Sequence, residues 1–184
     1  LFLLAGCSST QNPPATNTDA NQSQKEKLSV YASFYPMYDF ASKIGGDQVN
    51  VVNMVPAGTE PHDWEPTAAD ITGLEKAKVF IYNGAGMEHW AEDVLKSLQN
   101  KNLIAVEASR DIKLVEGHHE HEDEAKDAAR KEEHEDEGFD PHVWLSPLNA
   151  KKEMENIKNA LVQADPNNKD YYEANYAKYA AHLD

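Results

Sequence analysis

Apolar residues in this chain fall in short alternating runs separated by stretches of helical period, and that rhythm predicts its elements. Leu28-Ser29-Val30-Tyr31-Ala32-Ser33-Phe34 reads as a first strand. Pro36 opens a short helix over Met37 to Ile44, which stops at Gly45-Gly46. Gln48 to Val55 reads as a second strand, Lys78 to Asn83 as a third and Asn102 to Val106 as a fourth. Between the second and third, Thr67 and Asp70 have capping-box spacing before a helix whose apolar side holds Ile71 and Leu74. Between the third and fourth, Gly84-Ala85-Gly86 turns into a helix through Trp90, Val94 and Leu98. Strands alternating with helices predict an α/β fold, a parallel four-stranded sheet with flanking helices. Such sheets bind ligands at the carboxyl ends of their strands. The loop that follows the second strand carries His62 and three prolines, Pro56, Pro61 and Pro66, so it belongs to that end.

Later in the chain the period is helical throughout. Ser146-Pro147 is a helix start, with Ser as the cap and Pro at the first position. Met154, Ile157 and Leu161 then share one face. Asp165-Pro166 ends that helix and begins another, along which Tyr172, Tyr176, Tyr179 and Leu183 form one stripe. The stripe still runs at Asp184, which suggests a chain cut inside a helix. The helix after Pro166 is expected to project from the folded unit with its Tyr stripe exposed.

The amino-terminal residues break the rhythm. Residues 1–7, Leu-Phe-Leu-Leu-Ala-Gly-Cys, read as the tail of a signal peptide whose start lies outside this sequence. Leu4-Ala5-Gly6-Cys7 resembles the lipobox of bacterial lipoproteins, in which the cysteine thiol carries lipid. A lone cysteine is more often a buried one, but the Ser, Thr, Asn, Gln and Pro of residues 8–27 build no core. That stretch reads as a disordered tether reaching ~25 Å from a membrane. Cys7 is the only cysteine, so no internal disulfide forms.

Charge narrows the function. The net charge of −15 argues against nucleic-acid binding, which needs a basic patch. Much of the acidity lies in one segment: residues 116–138 hold 11 Asp or Glu against 3 Lys or Arg. His118, His119, His121 and His134 lie among those acids. The segment reads as a solvated acidic loop, yet clustered imidazoles and carboxylates also bind transition metals loosely.

Two loops repeat one pattern, acid-Pro-His-x-Trp. They are Glu60-Pro61-His62-Asp63-Trp64 and Asp140-Pro141-His142-Val143-Trp144. Proline stiffens the approach to each imidazole. The adjacent Trp is suited to shield the site from water, while Glu60 and Asp140 are suited to orient the rings. A single Pro-His is ordinarily a plain loop histidine. A repeated pattern on two separate loops suits a borderline metal such as zinc. His89 and His182 read as surface residues, and Tyr35, Trp64 and Trp144 as packing.

With these residues in view, the chain resembles the zinc- and manganese-binding lipoproteins of bacterial ABC transporters, a branch of the solute-binding proteins. The resemblance rests on Ser33-Phe34-Tyr35-Pro36, Val55 to Pro66, Tyr82 to Glu88, Asp140 to Pro147, and Asp165-Pro166 followed by Tyr171-Tyr172. It implies two (β/α) lobes joined by a long helix, with metal held between them. His62 and His142 would be two ligands, and two more would come from a second lobe. Residues 28–165 would then form the amino-terminal lobe, residues 166–184 the start of the interlobe helix, and the second lobe would be absent. The His-rich insertion resembles that of zinc members and favours zinc over manganese. The resemblance also implies a monomer, lipid-anchored outside the cytoplasm, that delivers Zn2+ to a membrane permease. The alternative is manganese or iron delivery by the same kind of protein.

An enzymatic reading fares worse. A zinc hydrolase needs an open coordination position and a general base, as in His-Glu-x-x-His, and that motif is missing from the sequence. The family's association with cell adhesion finds no host-binding feature here.

Overall fold

The computed structural model describes residues 26–116 and 138–184. Cys7, the expected tether and the acidic-loop histidines 118, 119, 121 and 134 lie outside the described residues.

Four parallel strands form the sheet: β1 (Leu28–Ala32), β2 (Val49–Asn53), β3 (Val79–Tyr82) and β4 (Ile104–Glu107), in the spatial order β2-β1-β3-β4. Helices α1 (Tyr35–Gly45), α2 (Ala68–Leu74) and α3 (Ala91–Ser97) connect successive strands. The predicted α/β class and strand count are therefore found. The strands are shorter than expected. Phe34 leaves β1 to become the residue that caps α1, because Pro36 imposes a helical φ just beyond it. The fourth strand begins two residues later than expected, after Lys101 and Asn102 have turned the chain.

Side-chain alternation divides the sheet between two cores. Val30, Ala32, Val79 and Ile81 point to one face, under α1, α4 (Pro147–Ala164) and α5 (Lys169–Ala180). Phe80 points to the other, where it meets Leu74 of α2 and Ala91 and Val94 of α3. The Thr67 capping box is present: Asp70 donates its amide to Thr67 Oγ1 at 3.3 Å, and the Thr67 amide donates to the Asp70 carboxylate at 2.8 Å.

Two helix expectations change. Ser146 stands at the cap position of α4 but its hydroxyl makes no capping bond. Its carbonyl instead accepts the Ala150 amide at 2.8 Å, and Pro147 supplies the helical φ. Helix α5 does not project with an exposed stripe. Tyr172 is completely buried, and Tyr176, Tyr179 and Leu183 pack against the α1 and α4 core. Polar contacts tie it down as well. Asn175 Nδ2 donates to the Ile44 carbonyl at the end of α1 at 3.0 Å, and the Tyr172 hydroxyl donates to Asp165 at 3.2 Å. A Tyr stripe has apolar area to bury and hydroxyls to satisfy, and the surface of α1 and α4 offers both.

Strand order places the functional end. From β1 the chain passes to β2 on one side, then returns through α2 to β3 on the other. The crevice of an open parallel sheet lies where the order reverses, here between the carboxyl ends of β1 and β3.

Candidate metal site

The two acid-Pro-His-x-Trp loops converge at that end of the sheet. The first follows β2 and the second precedes α4. Both histidines line one cleft of ≈ 470 Å³, with Phe34, Tyr35, Met87 and Trp144 among its walls. The imidazole centroids of His62 and His142 stand 5.5 Å apart with ring planes at 62°. Two imidazoles bound to one tetrahedral zinc, each nitrogen ~2.0–2.1 Å from the ion, place their centroids about 5 Å apart. The pair is thus spaced to share an ion with little movement. Among the described residues no third His, Cys, Asp or Glu joins them to make a set of three.

The two loops hold their rings differently. Asp140 Oδ1 accepts the His142 backbone amide at 2.9 Å and lies 2.7 Å from His142 Nδ1. These contacts, the amide above all, hold the Asp140 carboxyl below its usual range. With Nδ1 occupied by the carboxylate, Nε2 is the nitrogen left for a metal. Glu60, by contrast, reaches only the backbone amide of His62, at 3.4 Å. The expectation that it orients the ring is not met, because the glutamate turns back on its own loop.

The paired tryptophans also divide their tasks. Trp144 lies against His142, centroids 5.3 Å apart, and edge-on to Phe34 at 4.9 Å, so it walls the cleft. Trp64 packs edge-on to Trp90 at 5.4 Å and joins both apolar cores. Tyr35, expected as packing, is 65% exposed and lines the cleft. His89 and His182 are exposed, as the sequence suggests.

Beneath the site lies a polar network that sequence reasoning passed over. Glu88 accepts the Ser33 hydroxyl at 2.6 Å, the Asn83 amide at 2.9 Å and the Gly84 amide at 3.0 Å. Burial raises its pKa while these hydrogen bonds pull it back. Glu153 of α4 is fully buried, and neither carboxyl oxygen has a partner among the described residues. Burial, with the nearby Glu88 charge adding to it, pushes Glu153 up to about 8. One signal was readable: Glu153 takes the helical position between Ala150 and Ile157, inside the buried stripe.

Comparison with known proteins agrees with this architecture. The high-affinity zinc uptake system protein ZnuA of Bacillus subtilis is 39% identical over 182 residues, covering 99% of this chain and 54% of that protein. The Zn(II)-bound ZnuA-like domain of Streptococcus pneumoniae AdcA superposes with a TM-score of 0.71 at 34% identity, over 86% of this chain and 52% of that one. A Mn-bound periplasmic metal binding protein from Candidatus Liberibacter asiaticus superposes at 0.69 with 27% identity, over 85% of this chain and 53% of that one. The chain thus spans about half the length of the relatives it matches. The model of one family, zinc-uptake complex component A, periplasmic (ZnuA), matches residues 30–184, and this chain belongs to that family.

Proposed function

We propose that this protein captures Zn2+ outside the cytoplasm and passes it to the membrane permease of an ABC transporter, without catalysing a reaction. The observation that carries the reading is the 5.5 Å approach of the His62 and His142 rings across one cleft. Each imidazole supplies one nitrogen, and Asp140 holds the His142 ring in the tautomer that presents Nε2. The remaining ligands come from a second lobe, within the part of its relatives' length that this chain does not span. Cys7 anchors the protein to the membrane by lipid, and the histidines of the acidic segment collect metal loosely. The names of the relatives support zinc over manganese: the Bacillus subtilis protein is a zinc uptake component, and the 34%-identical structure holds Zn(II).

A zinc titration of the chain followed by NMR of its histidine rings tests the site. The His62 and His142 ring signals are expected to shift together with one midpoint, and His62→Ala is expected to weaken the response of His142. Independent midpoints, or an unchanged His142 response in the variant, would refute a shared ion.

A further inference from the structure

We propose that Glu88 is a positioning residue for His142, acting through Asn83 and Pro141. This rests on the reading of His142 as a metal ligand. The turn after β3 is backbone-strained: Gly84, Ala85 and Gly86 all have positive φ, at 79°, 53° and 85°. Glycine adopts this conformation freely, but Ala85 does so at a cost. Such a turn persists only where its surroundings hold it. Glu88 does so by gripping the amides of Asn83 and Gly84, while its third hydrogen bond ties the turn to Ser33 at the end of β1.

The grip continues into the metal loop. Asn83 is fully buried, and its Nδ2 donates to the Gly84 carbonyl at 2.8 Å and to the Pro141 carbonyl at 3.0 Å. Pro141 immediately precedes His142. A rotation of the Asn83 side chain therefore releases the peptide that carries the imidazole. Asp140 then fixes the ring, but from within the same loop, so it moves with that loop. Asn83 is the hydrogen bond from the sheet to the peptide before His142.

Glu88 suits this role as an acceptor. Its three partners are two backbone amides and a hydroxyl, and a carboxylate accepts from all three, with charge strengthening each bond. Glu153, buried nearby, accepts no hydrogen bond among the described residues, so it does not compete with Glu88 for these donors.

The test compares Glu88→Gln, Asn83→Ala and Val94→Ala in this chain, by Zn2+ titration with the His62 and His142 ring signals as the readout. Val94 lies in the apolar core on the other face of the sheet and serves as a destabilised control. Glu88→Gln puts an amide donor opposite backbone donors. It is expected to perturb the His142 ring signals without metal, leave those of His62 unchanged, and weaken zinc binding about tenfold. Asn83→Ala is expected to do the same while keeping both backbone amides for Glu88. It decides the matter if the Glu88 variant does not fold. The double variant is expected to lose no more than Asn83→Ala alone, since both act along one path. Val94→Ala is expected to keep wild-type zinc binding. Full affinity in Asn83→Ala, additive losses in the double variant, or an equal loss in Val94→Ala would overturn the role of Glu88. If zinc shifts neither ring in the unaltered chain, the proposed site itself is wrong.

Discussion

Asp140 Oδ1 lies 2.7 Å from His142 Nδ1, while Glu60, its counterpart in the repeated motif, touches only the backbone of His62. The same five-residue pattern therefore holds one imidazole by its ring and the other only by its loop.

Asp140→Asn is accordingly expected to weaken zinc binding at His142 by about 10- to 100-fold, because the ring loses the acceptor that sets its tautomer. Glu60→Gln is expected to change affinity less than Asp140→Asn. Paired zinc titrations of the two variants measure this. Equal losses would contradict the asymmetry.

Burial holds the Glu153 carboxyl protonated up to about pH 8, against an ordinary value of 4.5. The folded chain thus keeps a proton that the unfolded chain releases. Stability from this group is greatest below the unfolded value, falls as pH rises from about 4.5 to about 8, and is level above that. Each unit of the shift corresponds to about 1.4 kcal/mol. Glu153→Gln is neutral at every pH and is expected to remove this slope, so that the variant gains on the wild type as pH rises. Urea midpoints between about pH 5 and 8.5 check it, and parallel curves for the two proteins would count against it.

Tyr172 is fully buried where α5 meets the core. Tyr172→Ala is expected to cost about 3–5 kcal/mol, the range for deleting a large buried aromatic. Exposed Tyr171→Phe is expected to cost under about 1 kcal/mol, the worth of its long hydrogen bond from the Asp47 amide. Denaturant unfolding measures both. A small loss in Tyr172→Ala would mean that α5 is not docked.

Cys7→Ala is expected to move the protein from the membrane fraction to the medium when it is expressed behind a lipoprotein signal peptide in a Gram-positive host. The motivation is Leu4-Ala5-Gly6-Cys7 followed by a polar stretch. Unchanged fractionation would remove the lipid anchor from the proposal.

Much of the fold was legible because its signals are local. Alternation in Leu28–Ala32, the Thr67 and Asp70 box and the Met154, Ile157 and Leu161 face all act within a few residues. The two candidate ligands were legible for a related reason: proline and tryptophan mark each histidine in its own loop. The Glu88 network was not legible. Glu88 bonds Ser33, 55 positions away, and Asn83 bonds Pro141, 58 positions away, and no local pattern says that a glutamate beside a Gly-Ala-Gly turn will make such contacts. Glu153 hid in the same way, a carboxyl in an otherwise apolar stripe.

By itself the sequence determined the order and kind of the strands and helices, though not their exact ends, where the sheet's functional end lies, and which two histidines stand there. Those follow from side-chain period and from the fixed φ of proline, which need no partner. Tertiary structure alone decided that the rings approach to 5.5 Å, that Asp140 holds a ring and Glu60 does not, and that α5 packs back on α1 and α4. Each depends on how distant surfaces meet. Burial then decides which hydrogen bonds must be made and which carboxyl keeps its proton.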